Sequence, residues 1–194
     1  MNTASQIARV ASLLDGMRQE RVIVTIDGPC GSGKSTLAAA LAEAFSAPVV
    51  HMDDYVIPHA QKTAERLAVP GGNADHERLL AEVIRPWLAG ETAIVRPYLC
   101  HEDRFGDAAP LPDSRLLILE GTYCNLPAIS EYAALRLFLT IEPEDQQKRL
   151  LERVGNEGLA AFNTRWIPLE NAYFAAYHLP DEGCLLLGSY DQAL

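Results

Sequence analysis

The chain has 194 residues, a formal net charge of −10 and 48% hydrophobic residues. That apolar share is enough for a buried core and excludes wholesale disorder, while the length fits one domain, expected over residues 1–194. The negative charge excludes a general nucleic-acid binder, whose affinity rests on Lys and Arg neutralising phosphates, yet it permits one local anion site made of backbone N–H groups.

No apolar run approaches the roughly 20 residues that a membrane span needs. The start, MNTASQIARVASLLDGM, shows neither the charged beginning nor the apolar middle of a signal peptide. Cys30, Cys100, Cys124 and Cys184 are widely spaced and form no C-x-x-C pair. Reduced thiols and a cytoplasmic location are therefore expected.

Taken in chain order, Ile7, Val10, Leu14 and Met17 recur at helical spacing and predict an amphipathic helix ending near Asp15-Gly16. Arg21–Asp27 is a β-branched run of the buried-strand type. A glycine-rich turn follows, then the alanine- and leucine-rich helix Lys34–Phe45. Pro48–Met52 predicts a second strand. The segment Val56–Asn73 is polar and broken by Pro58, Pro70, Gly71 and Gly72, which suggests a mobile insertion on the substrate side. Asp75–Leu88 has helical periodicity. Ala93–Val95 and Leu116–Leu119 predict strands on either side of a long surface loop, Asp103–Ser114, and Leu135–Ile141 predicts a fifth strand. Pro143 at a first helical position, with Glu144 and Asp145 beside it and Lys148, Arg149 and Arg153 later, has the charge order that a helix dipole favours. A last helix is predicted over Pro168–Tyr177 and a last short strand over Cys184–Leu187.

Apolar strands alternating with helices imply an α/β fold: a doubly wound, mostly parallel sheet of about five strands with helices on both faces. The segment Gly28-Pro-Cys-Gly-Ser-Gly33-Lys34-Ser35 matches G-x-x-x-x-G-K-[ST] between a strand and a helix, the context this motif requires. The expected fold is therefore a P-loop NTPase. Gly28, Gly31, Ser32 and Gly33 let the backbone wrap a phosphate, and the first-turn amides of Lys34, Ser35 and Thr36 add a helix N-terminus. Lys34 can reach the β- and γ-phosphates of ATP or GTP, and the Ser35 hydroxyl can ligate Mg²⁺. Cys30 lies inside this loop, where its oxidation could block binding or where it is simply a tolerated small residue.

The loop alone names no reaction. His51-Met-Asp53-Asp54-Tyr55 follows the second strand, at the carboxyl edge where ligands of parallel sheets bind. A carboxylate there can take a proton from an attacking hydroxyl, although Asp is also common in strand-end turns. Glu120 ends an apolar strand at the place of a Mg²⁺-side acid, or serves as a plain strand-terminal acid. Arg149 and Arg153 share one helix face; a lid could bring them onto the transferring phosphoryl group, or they form a solvated face. His51, His101 and His178 have no ligand-like arrangement and read as ordinary polar residues. Arg165, Trp166 and Glu170 could close a pocket, or Trp166 and Pro168 could simply pack a helix entry.

Together the loop, Met52-Asp-Asp-Tyr55, Asn73-Ala-Asp75-His76, Arg96-Pro-Tyr98, Leu119-Glu-Gly121 and the Arg149/Arg153 helix resemble, in order, the uridine kinase/phosphoribulokinase-like P-loop kinases. The resemblance runs from about Arg21 to Arg153. It implies phosphorylation of a hydroxyl on a small metabolite, a nucleoside or related riboside, with pantothenate or a sugar as alternatives. It further implies Asp53 as general base with Asp54 the other candidate, and Tyr55 beside them on the acceptor side. Asp75 would hold ribose-type hydroxyls, Tyr98 and Arg104 would line the acceptor pocket, and Glu120 would lie on the Mg²⁺ side. Arg149 and Arg153 would belong to a lid helix. The chain departs from the family where Ala74 replaces an aromatic residue and Glu77 a proline, and where Arg153-Val-Gly-Asn156 stands in a shortened lid. The oligomeric state stays open, with a homodimer one option.

Overall fold

The computed structural model describes residues 3–188; the single-domain expectation over 1–194 reaches past these at both ends. Five parallel strands form the central sheet: β1 Val22–Asp27, β2 Val49–His51, β3 Leu116–Glu120, β4 Leu135–Leu139 and β5 Cys184–Leu187. Their order across the sheet is β2-β3-β1-β4-β5. Strand β1 lies in the middle, and all six of its residues are buried, as are all five of β3. This is why both read as unbroken apolar runs.

Side-chain alternation along the strands sorts the core into two layers. Val22, Val24, Ile26, Leu116, Ile118 and Leu137 meet Val10 and Leu14 of the helix Thr3–Asp15 and Leu37 and Leu41 of the helix Lys34–Phe45. On the opposite face Ile23, Val50, Leu117 and Leu119 meet Leu79, Val83, Ile84 and Trp87 from the helical stretch 76–88, together with Ile129 and Tyr173.

Two π-helical segments, Leu80–Ile84 and Phe162–Trp166, each end two residues before a proline, Pro86 and Pro168. A proline ring clashes with the carbonyl four residues back and removes one helical bond; a widened turn just ahead of it relieves both. Pro168 therefore does not open the last helix as the sequence predicts. Helical structure runs through it from the lid, and the final helix spans Ile167–Ala176.

Two further expectations are corrected. Ile94–Val95 does not join the central sheet; it pairs antiparallel with Ala109–Pro110, so the fifth strand is Cys184–Leu187. The stretch 103–114 is not wholly irregular, because Arg104–Phe105 also pairs with Tyr98–Leu99. Within 56–73 lie a 3₁₀ turn, His59–Gln61, and a short helix, Ala64–Ala68, capped by the Thr63 side chain. Among the described residues no helix is long and apolar enough to cross a membrane.

Candidate active site

The glycine-rich turn leaves the carboxyl end of the central strand. Gly28, Gly31 and Gly33 take φ values of 137°, 80° and 96°, a region that side-chain-bearing residues rarely enter. A Cβ on Gly28 would also collide with the Leu139 carbonyl oxygen. Gly28→Ala is thus expected to destabilise the fold by about 2 kcal/mol or more, through backbone strain and the clash with the neighbouring strand. Thermal melting checks this.

The Lys34 ammonium donates to the Gly28 and Pro29 carbonyls at 2.8 and 2.9 Å. The first-turn amides of Lys34, Ser35 and Thr36 have no partner inside their own helix, and they stand at its positive dipole end. Ser35 Oγ donates to Glu120 Oε1 at 3.1 Å. His51 Nδ1 lies 2.5 Å from that same oxygen, and this contact raises the imidazole pKa. The sequence reading missed His51. Parallel pairing sets His51 beside Glu120 at the strand ends, so aligning the two strand termini would have revealed it.

A cavity of about 1230 Å³ opens over this edge. From the predicted site, Gly31, Gly33, Lys34, Ser35, Thr36 and Glu120 line it. Asp53 and Tyr55 line it as well, and Arg149 and Arg153 line it from the helix Pro143–Ala161. Arg149 Nη1 donates to the Gly31 carbonyl at 3.2 Å, and the Arg153 guanidinium lies 5.2 Å from the Phe162 ring centre. Gly28 and the buried Ser32 shape the loop from outside that lining.

Four predicted substrate contacts lie elsewhere. Asp75 spends its carboxylate capping the helical stretch, accepting the Arg78 N–H at 3.1 Å and pairing with the Arg78 guanidinium at 2.9 Å. Asp54 is half-buried outside the lining; burial raises its pKa, and its carbonyl accepts from Arg78 at 2.8 Å. Tyr98 binds Asp103 and the His59 N–H, and Arg104 pairs with Glu102 at 2.6 Å in the exposed ribbon. Asn73, Ala74, Tyr123, Trp166 and Glu170 are among the other residues that line the cavity. Arg165 stacks on Trp166 at 4.5 Å and stays out of it.

The acids at this edge differ in character. Asp27, fully buried, accepts from Gly28 N, Asn125 N and the Tyr173 hydroxyl at 2.7, 3.0 and 2.8 Å. Burial nevertheless outweighs these donors and lifts its pKa from 3.8 to about 6. The folded state therefore holds a proton that the unfolded chain releases near pH 4. Stability from this group is full below pH 3.8 and is lost as pH rises through about 6. The expected loss is about 3 kcal/mol, read as a fall in denaturant midpoint between pH 4 and pH 7 that Asp27→Asn flattens. Burial likewise pushes the Cys30 thiol up to about 12. The reactive thiolate is then suppressed, so Cys30 is no ready target for oxidation.

Among the described residues no group of three or more His, Cys, Asp or Glu side chains is poised to hold a metal. The adjacent Ser35 hydroxyl and Glu120 carboxylate are hard oxygen donors. They fit Mg²⁺, which completes its shell with phosphate oxygens and water.

No protein-family model and no curated protein matches the chain. Solved structures do. A possible uridine kinase from Bacillus stearothermophilus superposes with a TM-score of 0.72 at 19% identity, over 98% of this chain and 100% of that one. A candidate fructose transport system kinase from Silicibacter sp. TM1040 gives 0.69 at 24% identity, over 90% and 95%. YFH7 of Saccharomyces cerevisiae, a candidate P-loop kinase with a circular permutation, gives 0.70 at 14% identity, over 98% and 100%. The fold is that of the P-loop NTPases. At these identities the likeness establishes the fold, and the P-loop chemistry rests on the residues themselves.

Proposed function

We propose that the chain is an ATP- and Mg²⁺-dependent kinase that phosphorylates a hydroxyl on a small, uncharged metabolite, a nucleoside or related riboside. The observation that carries this reading is one cavity lined both by the P-loop and by Asp53. Its volume, about 1230 Å³, exceeds what a single small ligand fills and suits a triphosphate plus an acceptor.

The cations lining the cavity, Lys34, Lys148, Arg149 and Arg153, belong to the loop and the lid helix, where triphosphate charge is met. The lining around Asp53, formed in sequence by Asp53, Tyr55, Val56, Asn73 and Ala74, contributes no cation, which favours a neutral riboside over pantothenate or a sugar acid. Nearby arginines are engaged outside the lining: Arg66 with Glu77, Arg78 with Asp75 and Arg96 with Glu82.

In this reading Asp53 orients the acceptor hydroxyl and takes its proton as the oxygen attacks the γ-phosphorus. Lys34, Arg149 and Arg153 offset charge on the transferring phosphoryl group. Ser35 and Glu120 would hold Mg²⁺, which when bound neutralises the phosphates and aligns them. Unpaired cysteines agree with a cytoplasmic location.

A coupled diphosphate-release screen over nucleosides, other ribosides, pantothenate and sugars tests the reading. Release should require triphosphate and acceptor together, with a neutral riboside best. Release that ignores every acceptor would instead mark a hydrolytic nucleotide switch.

A further inference from the structure

The phosphate loop is gripped from behind by the helix that follows the lid. Glu170, buried on the helix Ile167–Ala176, accepts the Cys30 N–H through Oε2 at 3.0 Å and the Thr122 hydroxyl through Oε1 at 2.9 Å. One turn on, Tyr173 donates to Asp27, whose other oxygen accepts the Gly28 N–H. Gln146, on the same helix as Arg149 and Arg153, donates its side-chain amide to the Cys30 carbonyl at 2.9 Å. Cys30 is thus held by its N–H from the helix that follows residues 155–166 and by its C=O from the helical stretch that precedes Gly155.

Between these two supports the chain breaks at Gly155, with φ 67° and ψ −175°, and nothing lies within 4 Å of where a side chain there would begin. The segment 155–166 then brings Phe162 and Trp166 to the cavity. A shift of either supporting helix moves Cys30, and with it the amides of Gly31 to Ser35. A phosphate drawn onto those amides moves the helices in return.

We propose that Glu170 is a positioning residue that couples the lid to the phosphate loop through the Cys30 N–H. Hydrogen bonds to a buried carboxylate are stronger than neutral ones; here one holds, at Cys30, the loop whose donors must be preorganised for charge, and the other ties the same carboxylate to Thr122 just beyond the end of β3. This coupling rests on triphosphate binding by the loop and is independent of the acceptor.

The test compares Glu170→Ala and Glu170→Gln by hydrogen exchange in segments 28–36 and 155–166 of the free protein. It adds the dissociation constant for the Mg²⁺ complex of ATP carrying a non-hydrolysable β,γ-bridge. Glu170→Ala should speed exchange in both segments and weaken nucleotide binding about tenfold. Glu170→Gln should recover both to within about threefold, because its carbonyl can accept the Cys30 N–H and its amide can donate to the Thr122 oxygen. Exchange that quickens only beside residue 170 or equally everywhere, or a glutamine variant as impaired as the alanine one, overturns the coupling. If the unaltered protein fails to bind the nucleotide, the kinase reading falls, and the exchange pattern of the free variants still decides the coupling.

Discussion

Lys34→Ala is expected to lower kcat/KM by roughly 10³-fold, in line with the loss of a preorganised, phosphate-directed charge. The ammonium is held over the loop by the Gly28 and Pro29 carbonyls, 2.8 and 2.9 Å away, and it lines the cavity. It is therefore in place before any phosphate arrives, and little reorganisation is needed as charge shifts in the transition state. Lys34→Arg keeps the charge but swaps a compact ammonium for a planar fork, which cannot sit between two loop carbonyls in the same way. We expect it to recover less than a tenth of the lost rate, on the order of the geometric penalty for a misplaced catalytic group. Steady-state kinetics on variants whose melting temperature stays within a few degrees of the parent decide this. An alanine variant with near-normal turnover would remove the loop lysine from the reaction and leave the phosphate chemistry without its main fixed cation.

The parts of this molecule that were legible in its sequence are those governed by local rules. The strand, glycine turn and helix around Gly28–Ser35 follow from β-branching, positive φ at glycine and alanine-rich propensity, each read within a few residues. The carboxyl-edge rule likewise placed Asp53 and Glu120 in the cavity wall, because a parallel sheet puts all its strand ends on one side. What escaped depends on distant pairing. Asp75 reads as a ligand for hydroxyls until Arg78 and the helix start claim its carboxylate. Tyr98 and Arg104 sit in a short ribbon whose antiparallel partner no periodicity announces, and there Asp103 and Glu102 satisfy them. Glu170 lies 140 residues from the Cys30 amide it accepts, and only the packing of the last helix on the sheet brings the two together.

Asp53→Asn is expected to reduce kcat by roughly 10²- to 10³-fold, the usual span for losing a general base, while triphosphate affinity stays near its original value. The two adjacent aspartates both lie in the 3₁₀ turn Met52–Asp54, which puts Asp53 in the cavity wall and Asp54 outside it, where its backbone carbonyl accepts from Arg78. Asp54→Asn should accordingly change kcat by about threefold or less, as a half-buried group outside the reacting geometry. The partition between kcat and KM carries further information. Loss of a base that takes the acceptor proton in the transition state lowers kcat for every acceptor alike, whereas loss of a residue that only binds the acceptor raises KM and spares kcat. Full turnover in Asp53→Asn, with Asp54→Asn impaired, would move the base one residue along the chain. Full turnover in both would mean that proton removal is not what this strand end contributes. The acceptor hydroxyl would then be oriented by neutral groups such as Tyr55 and Asn73, with its proton leaving late in a loose transition state that demands little from a base.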